Sequence, residues 1–162
     1  MTDNPTGQGL THLRGDGSAH MVDVTDKAIT KRTARAESTL VTRVDVVDLL
    51  MTGELPKGEA LGTARIAGIM AAKRTSELIP LCHPLPLTKL SVDFEAQGDR
   101  VRVLASVTTR GLPGVEPQAP PAAGLAPLTL YDMIKAVDKH ASITDTRVLA
   151  KAGGKSGDWS IE

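Results

Sequence analysis

Leu90-Ser91-Val92-Asp93-Phe94-Glu95-Ala96-Gln97-Gly98-Asp99-Arg100-Val101-Arg102-Val103-Leu104-Ala105-Ser106-Val107 reads as two strands and the turn between them. Leu90, Val92 and Phe94 alternate with Ser91, Asp93 and Glu95. Val101, Val103, Ala105 and Val107 alternate against Arg102 and Ser106. A period of two puts the apolar set on one face and the polar set on the other, which is how a half-buried antiparallel pair is written. Gln97-Gly98-Asp99 supplies the turn. One sheet face therefore needs a cover, and the flanking segments provide it.

Upstream, Leu61, Ala64, Ile66, Ile69 and Met70 fall near a 3.6-residue period, predicting a helix from about Gly58 to Thr75. Gly62 and Gly68 would let another element approach closely, and Lys73 and Arg74 suit the negative end of the helix dipole. Asp45 to Met51 is a shorter amphipathic helix closed by Thr52-Gly53. His20 to Arg43, rich in Thr and β-branched residues, reads as one or two strands. Downstream, Leu130, Ile134 and Val137 share a helical face within 128–137, and Ser142 to Ala150 is a last strand. Hairpin and helices interleave, so the fold class is α+β, with helices packed on one face of a mostly antiparallel sheet. Residues 1–11 read as a flexible polar tail and 12–162 as a single domain.

The 162 residues carry 19 basic and 19 acidic side chains, a balance unlike that of a general nucleic-acid binder. Nothing approaches a membrane-spanning apolar run, and Met1 to Gly9 has no secretory h-region. The single cysteine, Cys82, excludes an internal disulfide and fits a cytoplasmic protein. His12, His20, His83 and His140 lack metal-ligand spacing, so no metal site is expected.

Four places could carry chemistry. Cys82 and His83 sit together in Leu78-Ile79-Pro80-Leu81-Cys82-His83-Pro84-Leu85, stiffened by two prolines; taken alone, the segment is better explained by a buried core cysteine beside a hydrogen-bonded histidine. Asp132 and Lys135 lie three apart on one helix face, which suits either a tuned acid/base pair or a solvated ion pair. Lys151-Ala152-Gly153-Gly154-Lys155-Ser156-Gly157 could cradle an anion through its backbone, but it is no Walker A loop: Leu149 occupies the position of the leading glycine. Lys57-Gly58 precedes the long helix, where N-terminal backbone donors favour phosphate.

Several blocks, taken in order, resemble the cyclic pyranopterin monophosphate synthase family of molybdenum cofactor biosynthesis. They are Ser18 to Val24, Thr63 to Ile69 with Ala71 to Thr75, Leu78 to Leu85, Leu128 to Met133 with Lys135 to Val137, and Arg147 to Lys151 with Gly153 to Gly157. The resemblance runs from about Leu10 to Trp159. It implies a ferredoxin-like subunit in a homohexamer, a trimer of dimers with sites at dimer interfaces. It also implies a lyase without a cofactor. The substrate is (8S)-3',8-cyclo-7,8-dihydroguanosine 5'-triphosphate, converted to cyclic pyranopterin monophosphate with release of pyrophosphate. By the same resemblance Asp132, Lys135, Lys57 and Lys151 are the catalytic residues. Leu81, Cys82, His83, Glu116, Pro117, Gln118, Lys73, Arg74 and Lys155 contact substrate.

Residues 110–127 depart from the family pattern. Leu112 stands where a lysine is usual, and Pro117-Gln118 where a Met-Glu pair is usual. Pro120, Pro121 and Pro127 are expected to interrupt the long helix, leaving irregular backbone from 117 and a helix that starts near Pro127. A catalytically impaired relative that keeps the oligomer and an anion pocket is the alternative this segment raises.

Overall fold

A computed structural model describes residues 14–23, 25, 29–111, 116–154 and 156–162. Chain order is β1 (Thr30–Val41), α1 (Val44–Thr52), α2 (Ala60–Lys73), α3 (Thr75–Leu78), β2 (Leu87–Gln97), β3 (Arg100–Gly111), a 3-10 turn (Glu116–Gln118), α4 (Ala119–Ile134), β4 (Ser142–Ala152) and β5 (Trp159–Ser160). The sheet order is β2-β3-β1-β4-β5, with every pairing antiparallel. The β-α-β-β-α-β succession with β1 and β3 central is the ferredoxin-like arrangement. The hairpin forms as its alternation predicts: Gln97 pairs with Arg100 across a two-residue turn in which Gly98 adopts φ 58°. Among the described residues of 20–43 there is one strand, β1. The tail, residues 1–11, lies outside the described residues.

The core is aliphatic. Leu40, Val92, Val101, Val103 and Val107 from the sheet meet Val46, Leu50, Leu130 and Ile134 from the helices, all at most 1 % exposed. Alanine fills the helix–helix contact: Ala119, Ala122, Ala123 and Ala126 of α4 are fully buried, as are Ala60 and Ala64 of α2. Gly68 of α2 makes the closest approach. A Cβ there would stand 2.9 Å from the Ala122 carbonyl oxygen and 3.1 Å from Val92 Cγ2. Gly62 serves no such packing; its N–H is a donor to the Glu59 carboxylate that caps α2, at 2.8 and 2.9 Å to the two oxygens.

The expected break before Pro127 does not occur. The helix α4 is continuous from Ala119, with Pro120 and Pro121 in its first turn and Pro127 inside it. The first four N–H groups of any helix lack an intrahelical acceptor, so prolines 120 and 121 forfeit no bond. Only Pro127 removes one. Its ring is buried beside Ala126 and Leu130, and Thr129 Oγ1 donates to the Leu125 carbonyl at 2.9 Å next to it. Position in the helix, not the number of prolines, decides the cost.

On the outer sheet face Glu37 of β1 is 4 % exposed and takes Nε donors from Arg102 at 2.5 Å and Arg147 at 2.7 Å. Burial pushes its carboxyl up from the ordinary 4.5, but the two guanidinium bonds outweigh burial and hold it lower.

Two measurements test this packing. Gly68→Ala gains up to about 1 kcal/mol of helix propensity but overpacks a backbone carbonyl that cannot move aside, at about 1–3 kcal/mol. Urea titration should show a net loss. Glu37→Gln should cost about 2 kcal/mol at pH 7, because it leaves Arg147 unmatched and Arg102 with only the longer contact to Glu95. Glu37's folded value lies below its unfolded one, so its contribution is complete above the unfolded titration and drains as pH falls through the folded value. The variant's stability should therefore depend less steeply on pH over the acid range than the wild type's.

Candidate functional site

The segment joining α1 to α2 and the C-terminal turn of α4 meet at one end of the helix layer. There Lys57 Nζ donates to the Asp132 carbonyl at 3.0 Å and lies 3.5 Å from Asp132 Oδ2. Lys135 Nζ donates to Asp132 Oδ1 at 2.7 Å, as the spacing of three predicts. The Lys135 hydrogen bond, then the charges of Lys135 and Lys57, hold the Asp132 carboxyl below the usual carboxylate range. Asp132 in turn raises the Lys135 ammonium. In the free protomer this is an ionised carboxylate between two ammonium groups, open to solvent. Lys57 does not act through the N-terminus of α2, because the Glu59 carboxylate already occupies donors there. It reaches Asp132 instead, a contact 75 residues apart that no local pattern announces.

The other candidates gather at the opposite end. The helices α2 and α4 run antiparallel: Lys57, just before α2, touches Asp132 near the end of α4, while Gly68 packs on Ala122 near its start. Lys73 and the α2 C-cap Arg74 therefore lie toward the 3-10 turn. Gln118 of that turn is 2 % exposed and its Nε2 donates to Cys82 Sγ at 3.4 Å. Among the described residues its Oε1 is buried without a partner. Burial pushes the Cys82 thiol up, and the Gln118 bond offsets part of that. His83 and Leu81 flank it on the loop between α3 and β2. The register of β1 brings two more segments here, since Thr30 faces Gly111 and Thr33 faces Ala152. Lys151 of β4 hydrogen-bonds Ser156 Oγ, and Gly153 N–H donates to Asp158 Oδ1 at 2.8 Å, so this turn spends one of its backbone donors internally.

From Gln118 to Asp132 is 14 residues, which at about 1.5 Å per residue separates the two ends by about 21 Å along α4. Among the described residues, no hydrogen bond or ion pair joins Asp132 to His83 or Lys151. One protomer thus brings Lys57 and Lys135 to Asp132, and places Leu81, Cys82, His83, Lys73, Arg74, Pro117, Gln118 and Lys151 at the far end. Lys155 and Leu112 lie outside the described residues. For Glu116 the backbone is described but the side chain is not. Arg32 went unnoticed in the sequence, because one arginine in a Thr-rich strand gives no signal. It is 6 % exposed, and its guanidinium lies close enough to Gly154 that a Cβ on that glycine would stand 3.0 Å from it. It is a fixed cation in the strand beside Lys151.

Residues 21–154 match the model of the MoaC family. The chain belongs to the MoaC family. It is 66 % identical over 152 residues to a cyclic pyranopterin monophosphate synthase of Corynebacterium efficiens, covering 94 % of this chain and 98 % of that one. It is 62 % identical over 153 residues to the protein of that name in Corynebacterium glutamicum strain R, again over 94 % and 98 %. Cyclic pyranopterin monophosphate synthase 2 of Mycobacterium tuberculosis is 56 % identical over 151 residues, covering 93 % of this chain and 90 % of that one. Among the described residues, no helix is long and apolar enough to cross a membrane.

A protonated, half-buried thiol is a poor nucleophile. At pH 8 iodoacetamide should label Cys82 at least about tenfold more slowly than free cysteine. Labelling at the free-cysteine rate would show that the thiol is neither buried nor held by Gln118.

Proposed function

We propose that this protein is a cyclic pyranopterin monophosphate synthase, a cytoplasmic lyase. It converts (8S)-3',8-cyclo-7,8-dihydroguanosine 5'-triphosphate to cyclic pyranopterin monophosphate and pyrophosphate. The observation that carries the reading is the Lys57–Asp132–Lys135 triad, joined to near-full-length similarity with proteins of that name. Ring rearrangement needs proton donors and acceptors, and a triphosphate needs cations; the triad offers both at a net charge of plus one.

The active site forms between protomers. The separation of the two ends along α4 supports this, because neither end alone assembles the carboxylate, the histidine and all the lysines. Exposed apolar side chains on the helices support association: Ile66, Met70, Ile79 and Leu128 are 60, 45, 44 and 50 % exposed. The assembly is a homohexamer, a trimer of dimers, with Asp132 of one protomer facing Lys151 and His83 of another. Cations arriving from the partner favour loss of a proton from Lys135, opposing the hold of Asp132. The ammonium then acts as acid and its amine as base. Lys57, Lys73, Arg74 and Lys155 offset phosphate charge. Leu81, Cys82, Glu116, Pro117 and Gln118 shape the wall around the base. Gln118 brings a neutral carboxamide where the family has a carboxylate. The alternative of an impaired relative rests on Leu112, Pro117 and Gln118 as well as on the helix prolines, and a continuous α4 from Ala119 answers only the prolines.

Turnover is measured as pyrophosphate release from the cyclised triphosphate. Asp132→Asn and Lys135→Ala should each lower kcat by about 10²- to 10⁴-fold. A shared site makes a further demand. Asp132→Asn and Lys151→Ala, each inactive alone, should recover about a quarter of wild-type activity after unfolding and refolding together. Half of the random dimers are then mixed, and each mixed dimer holds one intact site. No recovery, or a monomer by sedimentation at micromolar concentration, would put the whole site within one chain.

A further inference from the structure

The outer face of the sheet carries two different kinds of charge. Toward the turn of the hairpin every cation is matched: Glu37 takes Arg102 and Arg147, and Glu95 also meets Arg102. Toward the other end of the strands the matching stops. Lys31 of β1 sits directly opposite Arg110 of β3, and Lys89 of β2 opposite Thr108. Among the described residues, none of these three cations has an ion-pair partner. Like charges directly across an antiparallel pair destabilise it. The three line one open cavity of about 720 Å³, floored by the hydroxyls of Thr33 and Thr108 and closed at one side by Arg35, with no carboxylate in its lining. Arg35 is held at 2.5 Å by Glu162. Thr33 and Arg35 also line the neighbouring cavity that contains Lys151. By the register of β4 on β1, Lys151 pairs with Ala34 and stands on the core side of the sheet, so the groove and that lysine share an edge of the sheet but not a face.

We propose that this groove is a polyphosphate-binding subsite: Lys31, Lys89 and Arg110 receive the phosphate tail of the triphosphate and hold pyrophosphate on its way out. An anion lying between Lys31 and Arg110 turns their repulsion into two attractions, which explains why the strands keep them face to face. Threonine hydroxyls add neutral donors without adding charge. The assignment to this substrate rests on the proposed function; the groove's affinity for phosphate anions does not.

The two are separated by measuring both. The double variant Lys31→Gln, Arg110→Gln should bind inorganic pyrophosphate about tenfold more weakly for each charge removed, at fixed ionic strength. Its Tm without ligand should equal or exceed the wild type's, since a repulsion has gone, whereas cations with a purely structural role would lower it. Against the cyclised triphosphate, KM should rise in the same proportion while kcat stays within about twofold, because the groove touches no reacting atom. Unchanged pyrophosphate affinity in the double variant overturns the groove, whatever the turnover. Weakened pyrophosphate binding in a protein that never turns over the cyclised triphosphate upholds the groove and removes the proposed function alone.

Discussion

The close contact of α2 on α4 fixes where everything else can be. Gly68 lets the Ala122 carbonyl and the Ala126 methyl approach, and alanines on both helices keep that distance along their length. A larger residue anywhere in the seam would push the helices apart and lift both from the sheet. Because the pair is antiparallel, the contact also settles chemistry. The start of α2 delivers Lys57 to Asp132, and its end delivers Lys73 and Arg74 toward Gln118. The same packing that assembles one half of the site holds it a helix length from the other half. The proposal of a site shared between subunits rests on that separation.

Much of this was legible, for identifiable reasons. The hairpin around Gly98 declares itself because a period of two and a glycine turn are local. Asp132 and Lys135 share a face because three residues make nearly one helical turn. Proline was read by number when it should have been read by place. Two of the three helix prolines fall where no N–H is needed, and the cost of the third is met by burial. Only the family resemblance puts Lys57 at the carboxylate; its contact with Asp132, 75 residues away, carries no local signal. Lys31 opposite Arg110 was out of reach, because register between β1 and β3 is a property of the sheet and not of either strand.

Gln118 and Cys82 show how one substitution changes a wall without breaking it. A carboxylate at 118 would be costly at 2 % exposure unless a cation reached it. The carboxamide removes that demand, and its Nε2 finds the thiol. Among the described residues the carbonyl oxygen meets no donor. Burial of the thiol and neutrality of the amide make this part of the wall a shape rather than a charge.

The balance of 19 cations and 19 anions hides a strong separation. Acidic side chains cancel arginines near the hairpin turn, and Asp132 binds two lysines at one end of the helices. At the other end Lys31, Lys89 and Arg110 face one concavity, and among the described residues no carboxylate cancels them. A potential depends on where charges lie as well as on their sum, and a concave wall concentrates it. Net neutrality argues against wrapping a long polyanion, which needs charge over a broad surface. It is no argument against gripping a short one, which needs only a few cations that the fold has left without partners.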